Sequence, residues 1–153
     1  MRNKRKLLIE QLDQKLHPFL HTKTVLVPDR GWIHTIRTAL NMTLAQLGNK
    51  LNITRQGVGK IEESEANGTI TINSLKKVAK AMDLKLVYAL VPKNGTIDEL
   101  IETKAVALAQ KIVLRTNQNM RLENQGVEDK KINETIEDLA AEIKREVRKS
   151  LWD

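Results

Sequence analysis

Apolar residues recur at spacings of three and four along most of this chain, in short runs separated by polar breaks. Over 42–62, MTLAQLGNKLNITRQGVGKIE, one stripe is Leu44, Leu47 and Leu51, and a second is Val58 and Ile61. Two such stripes divided by a few residues predict two short amphipathic helices folded against each other. Thr43 and Thr54 stand where N-caps belong, each offering a hydroxyl oxygen to a free backbone N–H of the first turn. Asn52 suits the turn because it tolerates left-handed backbone. Ala45 and Gly48 are small enough to let the second helix come close, and Ile53 returns the chain to the core.

The same periodicity extends outward. Residues 32–41 predict a helix burying Ile33, Ile36 and Leu40, and 72–82 another carrying Leu75, Val78, Ala79 and Met82, with a loop at Asn67-Gly68 between. Residues 5–16 predict an N-terminal helix with Leu8, Leu12 and Leu16 on one face, stopped by Pro18. Residues 19–30 read as irregular and close on the turn signal Pro28-Asp29-Arg30-Gly31. Thr96 caps a helix with Ile97, Leu100, Ile101, Leu108 and Ile112 on its apolar face, running toward Asn124 and ending near Gly126. A last helix follows Asp129-Lys130-Lys131 with Ile132, Ile136, Leu139, Ile143 and Val147. Its stripe must bury against the preceding helix, a second subunit or a different protein.

One stretch breaks the helical period. Residues 84–92, LKLVYALVP, are rich in β-branched and aromatic side chains and end at proline, which predicts a strand. A lone strand leaves its hydrogen-bonding edges open. Two remedies stand: Leu86, Val87, Tyr88, Ala89 and Leu90 pair with the same strand of a second subunit across a two-fold axis, or with 24–27 or 69–72 of the same chain. The expected fold is therefore mainly α. It has a five-helix repressor-like domain with one β-strand, plus an N-terminal helix and C-terminal helices. The expected boundaries are 1–30 for the N-terminal helix and basic arm, 31–92 for the central domain and 96–153 for a helical region serving dimer or partner contact.

Composition narrows the chemistry. The chain is 41% apolar but only 3% aromatic, so its core is built from Leu, Ile, Val and Ala. It has no cysteine, which excludes disulfides and zinc–thiolate sites. No apolar run approaches membrane-spanning length, and the basic start MRNKRK is followed by too short an apolar run for a signal peptide. The expectation is a cytoplasmic protein without membrane contact. The net charge is +7 and unevenly placed: 7 Lys/Arg against 3 Asp/Glu over 1–30, 9 against 4 over 31–95, and 10 against 12 over 96–153. The basic surplus falls on and before the two-helix segment, as phosphate contact requires.

The second helix of that segment leaves Arg55, Gln56 and Lys60 facing outward. This is the pattern of a helix-turn-helix, which places one helix in the DNA major groove. Arg grips guanine and Gln grips adenine, each through two hydrogen bonds, while Lys60 suits a phosphate. The candidate DNA-binding set is Thr43, Gln46, Thr54, Arg55, Gln56, Gly57 and Lys60. Arg2, Lys4, Arg5 and Lys6 are candidates for phosphate contact. A dimer would read an inverted repeat with its recognition helices about 34 Å apart. The competing reading is an ordinary buried helical hairpin. Gly57 and Gly59 each cost roughly 1 kcal/mol relative to alanine, so this helix depends on packing or on DNA for its order.

At these residues the chain resembles the phage-repressor, or XRE-like, helix-turn-helix family over about 32–90. Thr43-Leu44-Ala45-Gln46-Leu47-Gly48 stands in place of the family's Thr-x-x-Gln-Leu-Ala. Thr54-Arg55-Gln56-Gly57-Val58-Gly59-Lys60-Ile61-Glu62 stands in place of Ser/Thr-x-x-x-Val/Ile-x-x-x-Glu. Gly48 and Gly59 depart from the usual pattern. Over most of its length the chain also resembles the bacterial family called mobile mystery protein A, through RNKRKLLIEQLDQKL, GWIHTIRTAL, ITRQGVGKIE, LVYALVP and MRLENQ. That resemblance implies a neighbouring Fic-domain protein and a two-gene module like a toxin and its antitoxin-regulator. Helices that inhibit Fic enzymes carry Ser or Thr, three residues, then Glu and Gly or Asn. Asn119, Glu123 and Asn124 meet the last two positions and depart at the first. Glu123 is then either an inhibitory residue or a solvated helix residue.

Catalytic signals are weak. His17 and His21 have metal-ligand spacing, but Pro18 lies between them and no acidic third ligand is near in sequence. Gly57-Val58-Gly59-Lys60 lacks the earlier glycine of a phosphate loop, where Thr54 sits, and Ile61 replaces the Ser or Thr. No enzyme, metal or cofactor is expected. Two functions remain: a sequence-specific DNA-binding autorepressor, or an interaction module that neutralises a Fic-type toxin through its C-terminal helices.

Overall fold

In the computed structural model, residues 2–122 and 129–153 are described, with side chains over 4–118 and 129–153. The described residues form seven α-helices: α1 (Arg2–Leu16), α2 (Gly31–Ala39), α3 (Leu44–Leu51), α4 (Arg55–Ala66), α5 (Ile72–Ala81), α6 (Ile97–Leu122) and α7 (Asp129–Glu146). Short 3-10 helices follow α1 at His17–Thr22 and α7 at Lys149–Trp152. The chain divides into two compact units, Thr24–Tyr88 and the pair Met1–Lys23 with Ala89–Asp153. No helix among the described residues is long and apolar enough to cross a membrane.

The Thr24–Tyr88 unit contains α2 to α5 around Ile33, Leu47, Val58, Val78 and Met82. Each helix stops by the same device. The closing residue turns left-handed at Asn41, Asn52, Gly68 and Asp83. The next N–H then reaches back five residues: Met42 to the Arg37 carbonyl, Ile53 to Gly48, Thr69 to Ser64 and Leu84 to Ala79. Three of the four closing residues are Asn or Asp, whose short polar side chains tolerate this backbone. Leu40, expected inside, is exposed, because α2 ends at Ala39 just before the left-handed Asn41.

Two expectations for this region are corrected. The unit has four α-helices, not five, because the left-handed Asp83 ends α5 and no helix resumes before residue 97. The strand over 84–92 does not form: these residues have no regular secondary structure, and no strand lies among the described residues. β-propensity makes a strand only where a second edge supplies partners for its N–H and C=O groups. Neither 24–27 nor 69–72 pairs with it. Val87, Tyr88 and Leu90 are exposed, Leu90 at 92%.

In the other unit α6 and α7 pack along their lengths. Ile132, Ile136, Ala140 and Ile143 of α7 meet Ile101, Ala105 and Ala109 of α6, with Leu151 beside them. The buried face of α6 therefore runs through alanines. Leu100 and Ile112, expected on that face, are more than a third exposed. α1 joins this unit through Ile9, while Leu8 and Leu12, expected to be buried, are 57% and 43% exposed. Asp13 of α1 accepts from the first-turn N–H groups of Ile97 (2.8 Å) and Asp98 (3.2 Å). Thr96 and Glu99 complete a reciprocal cap of α6.

Candidate nucleic-acid interface

The interface is built from α3 and α4. Thr43 and Gln46 form a reciprocal cap: the Gln46 N–H donates to Thr43 Oγ1 at 3.1 Å, and the Thr43 N–H donates to Gln46 Oε1 at 2.8 Å. The Gln46 oxygen is thereby committed, and its amide nitrogen remains as a donor to a phosphate. Thr54 caps α4 by accepting from the Gly57 N–H at 3.1 Å. Both threonines have the extended backbone of an N-cap. Gly48 fixes how close the two helices come. A Cβ there would stand 2.7 Å from the Ile53 carbonyl oxygen, and the Ile53 N–H donates to the Gly48 carbonyl at 2.9 Å.

Val58 is fully buried and Glu62 nearly so, which sets the rotation of α4. Arg55, Gln56 and Lys60 are left exposed on its outward side, and none of them is paired among the described residues. Gly57 lies between the two faces, where a Cβ would stand 3.3 Å from Ile53 Cδ1, closer than ordinary contact. The structure thus places Thr43 and Gln46 at the start of α3, and Thr54, Arg55, Gln56, Gly57 and Lys60 over the N-cap and first half of α4, on two helices that pack against each other. Lys4, Arg5 and Lys6 are on α1, in the other compact unit. Arg5 there donates to the Glu146 carbonyl at the end of α7, at 3.0 Å. Arg2 lies on the same helix, with its side chain outside the described residues. Glu123 and Asn124 are outside them entirely, as is the side chain of Asn119.

Sequence reasoning missed what holds α4 in place. Glu62 accepts from Arg37 through both its oxygens, from Nε to Oε1 and from Nη2 to Oε2 at 3.3 Å, and His34 Nδ1 lies 3.1 Å from Oε2. Arg37 Nη1 also donates to the Met42 carbonyl at 2.8 Å, tying the α2–α3 turn to the same group. Burial alone would push the Glu62 carboxyl up. The hydrogen bonds from Arg37 and His34 and their charges outweigh it and hold the carboxyl below its ordinary value. One turn further, Glu65 accepts the N–H groups of Trp32 (3.0 Å) and Ile33 (2.8 Å), capping α2 from outside. Gly31 has a φ of 86°, and any side chain there would strike that carboxylate. The available signal was register: Glu62 and Glu65 share the inward face of α4 with Val58 and Ile61.

His17 and His21 lie in the 3-10 helix after α1. No group of three or more His, Cys, Asp or Glu among the described residues is placed to hold a metal ion.

Residues 33–88 match the model of the family described as Helix-turn-helix. This part of the chain is a helix-turn-helix domain, with α3 and α4 as the pair that gives the motif its name. No curated protein and no solved structure matches the chain.

Proposed function

We propose that the chain is a sequence-specific DNA-binding transcription regulator that works by binding rather than by catalysis. The observation that carries this is the outward face of α4. Arg55, Gln56 and Lys60 stand exposed and unpaired on a helix whose start is capped and whose rotation is locked by Val58 and Glu62. Arg55 and Gln56 read base edges. Lys60 and the Gln46 amide hold phosphates. The protein acts as a homodimer on an inverted repeat. Support for the dimer is the stretch 84–90, where Val87, Tyr88 and Leu90 leave apolar surface exposed that a second copy would cover.

The autorepressor role, and a Fic-domain partner contacted by the C-terminal helices, are carried by the resemblance of GWIHTIRTAL, ITRQGVGKIE, LVYALVP and MRLENQ to mobile mystery protein A. The test is fluorescence anisotropy on the DNA upstream of the gene against scrambled DNA, over a salt series. Preference for the upstream duplex is expected, weakened about tenfold or more by Arg55→Ala or Gln56→Ala. Equal, steeply salt-dependent binding to both duplexes would reduce the interaction to charge attraction and overturn the reading.

A further inference from the structure

Three glycines lie in the α3–α4 segment, and the structure accounts for two of them from within. Gly48 lacks a side chain because the Ile53 carbonyl oxygen is 2.7 Å from where a Cβ would stand, and Gly57 faces Ile53 Cδ1 at 3.3 Å. Gly59 is different. It sits inside α4, nothing lies within 4 Å of a Cβ built on it, and its φ is not in the left-handed region. A helix interior disfavours glycine. No neighbour and no backbone conformation in the chain asks for it here.

Its position says what does. Gly59 is four residues after Arg55, three after Gln56 and directly before Lys60. It is itself half-buried, at the margin of the exposed surface that these side chains frame, with open space where its side chain would be. We infer that Gly59 is a specificity-determining residue of the DNA contact, an inference that rests on the DNA-binding reading above. The space beside its bare Cα is filled by base-pair edges in the major groove, which close against the α4 backbone between the reach of Arg55 and Lys60. A methyl group is unwelcome there because of the DNA and not because of the protein. Stability and recognition must then move in opposite directions when one is added.

The experiment selects duplexes from a random-sequence pool with the wild-type protein, and the enriched duplex becomes the probe. Gly59→Ala is expected to raise the melting temperature of the full chain by a few degrees, since alanine favours the helix and meets nothing. The same change is expected to weaken the enriched duplex about tenfold or more, with affinity for a scrambled duplex kept within about twofold, because no phosphate-binding charge is altered. Gly59→Ser should show the same loss on DNA. A Gly59→Ala protein that binds the enriched duplex as tightly as wild type overturns the inference and leaves the DNA-binding reading standing. A lowered melting temperature also overturns it, by showing that the chain itself needs the glycine. A wild-type protein that enriches no sequence overturns both.

Discussion

In both compact units a carboxylate from a neighbouring helix closes a helix start: Glu65 takes two N–H groups of α2, and Asp13 takes two of α6. The units differ in where they keep their ion pairs. In Thr24–Tyr88 the Arg37–Glu62 pair is inside, with side chains 12% and 10% exposed. On the α6–α7 pair, Lys144 meets Asp98 and Glu102 at the surface, where those carboxylates are 53% and 59% exposed. The helices explain the contrast. α6 and α7, of 26 and 18 residues, interlock through a long row of isoleucines and alanines. α2 to α5 have 8 to 12 residues each and share a core of five buried apolar side chains, of which only Leu47, Val58 and Val78 are fully enclosed. Short helices with little apolar area per contact leave their crossing angles loosely set, and a buried, directional pair supplies the missing definition.

Removing one partner of the inner pair should therefore have the largest effect. Arg37→Met keeps most of the buried stem but leaves the Glu62 carboxylate desolvated with His34 alone, at a cost of about 3 kcal/mol. Urea unfolding followed by circular dichroism is the check, and specific DNA binding should fall with it. The pair also fixes an acid dependence. Glu62 is held below its ordinary value of 4.5, so the stability it contributes is fully present above that pH and drains away as pH falls through the lower folded value. The urea midpoint should drop in that acidic window, and Glu62→Gln should flatten the drop while lowering the neutral-pH midpoint.

The next effect concerns the turn. Gly48→Ala drives a methyl group against the Ile53 carbonyl and must displace the start of α4. About 2 kcal/mol of destabilisation is expected, read as a lower urea midpoint. The same change at Gly59 is expected to stabilise, so the two alanines separate a glycine the fold needs from one it does not. Equal effects at the two positions would erase that distinction.

Local rules made much of both units legible. Thr43, Thr54 and Thr96 were readable as caps, and Asn52 as a left-handed stop, because such signals act within four residues. The apolar stripes placed α2 to α5 and α7. What stayed hidden depends on distant partners. Arg37 and Glu62 are 25 residues apart, His34 and Glu62 28, and Trp32 and Glu65 33. The 84–92 segment failed as a strand for the same reason, since propensity is a property of the segment and pairing belongs to its neighbour. On α6 the apolar count favoured Leu100 and Ile112, yet a close helix partner selects Ala105 and Ala109.

The smallest effect should come from the outer pair. Burial tends to lower the Lys144 pKa, but its hydrogen bond to Asp98 and the charges of Asp98 and Glu102 outweigh that and raise it above the ordinary lysine value. A raised base contributes stability that is present below its ordinary pKa and is lost only as pH climbs through the folded value, so at neutral pH the contribution is fully available. It is small all the same, because both carboxylates stay hydrated and salt screens them. Lys144→Met, which keeps the stem against α6, should cost less than about 1 kcal/mol, and the cost should shrink further at about 1 M salt. The Arg37→Met defect should persist at that salt, because an enclosed pair is screened far less. If Lys144→Met instead cost as much as Arg37→Met, burial would not be what separates the two pairs, and the account of why the short-helix unit holds its ions inside would fall with it.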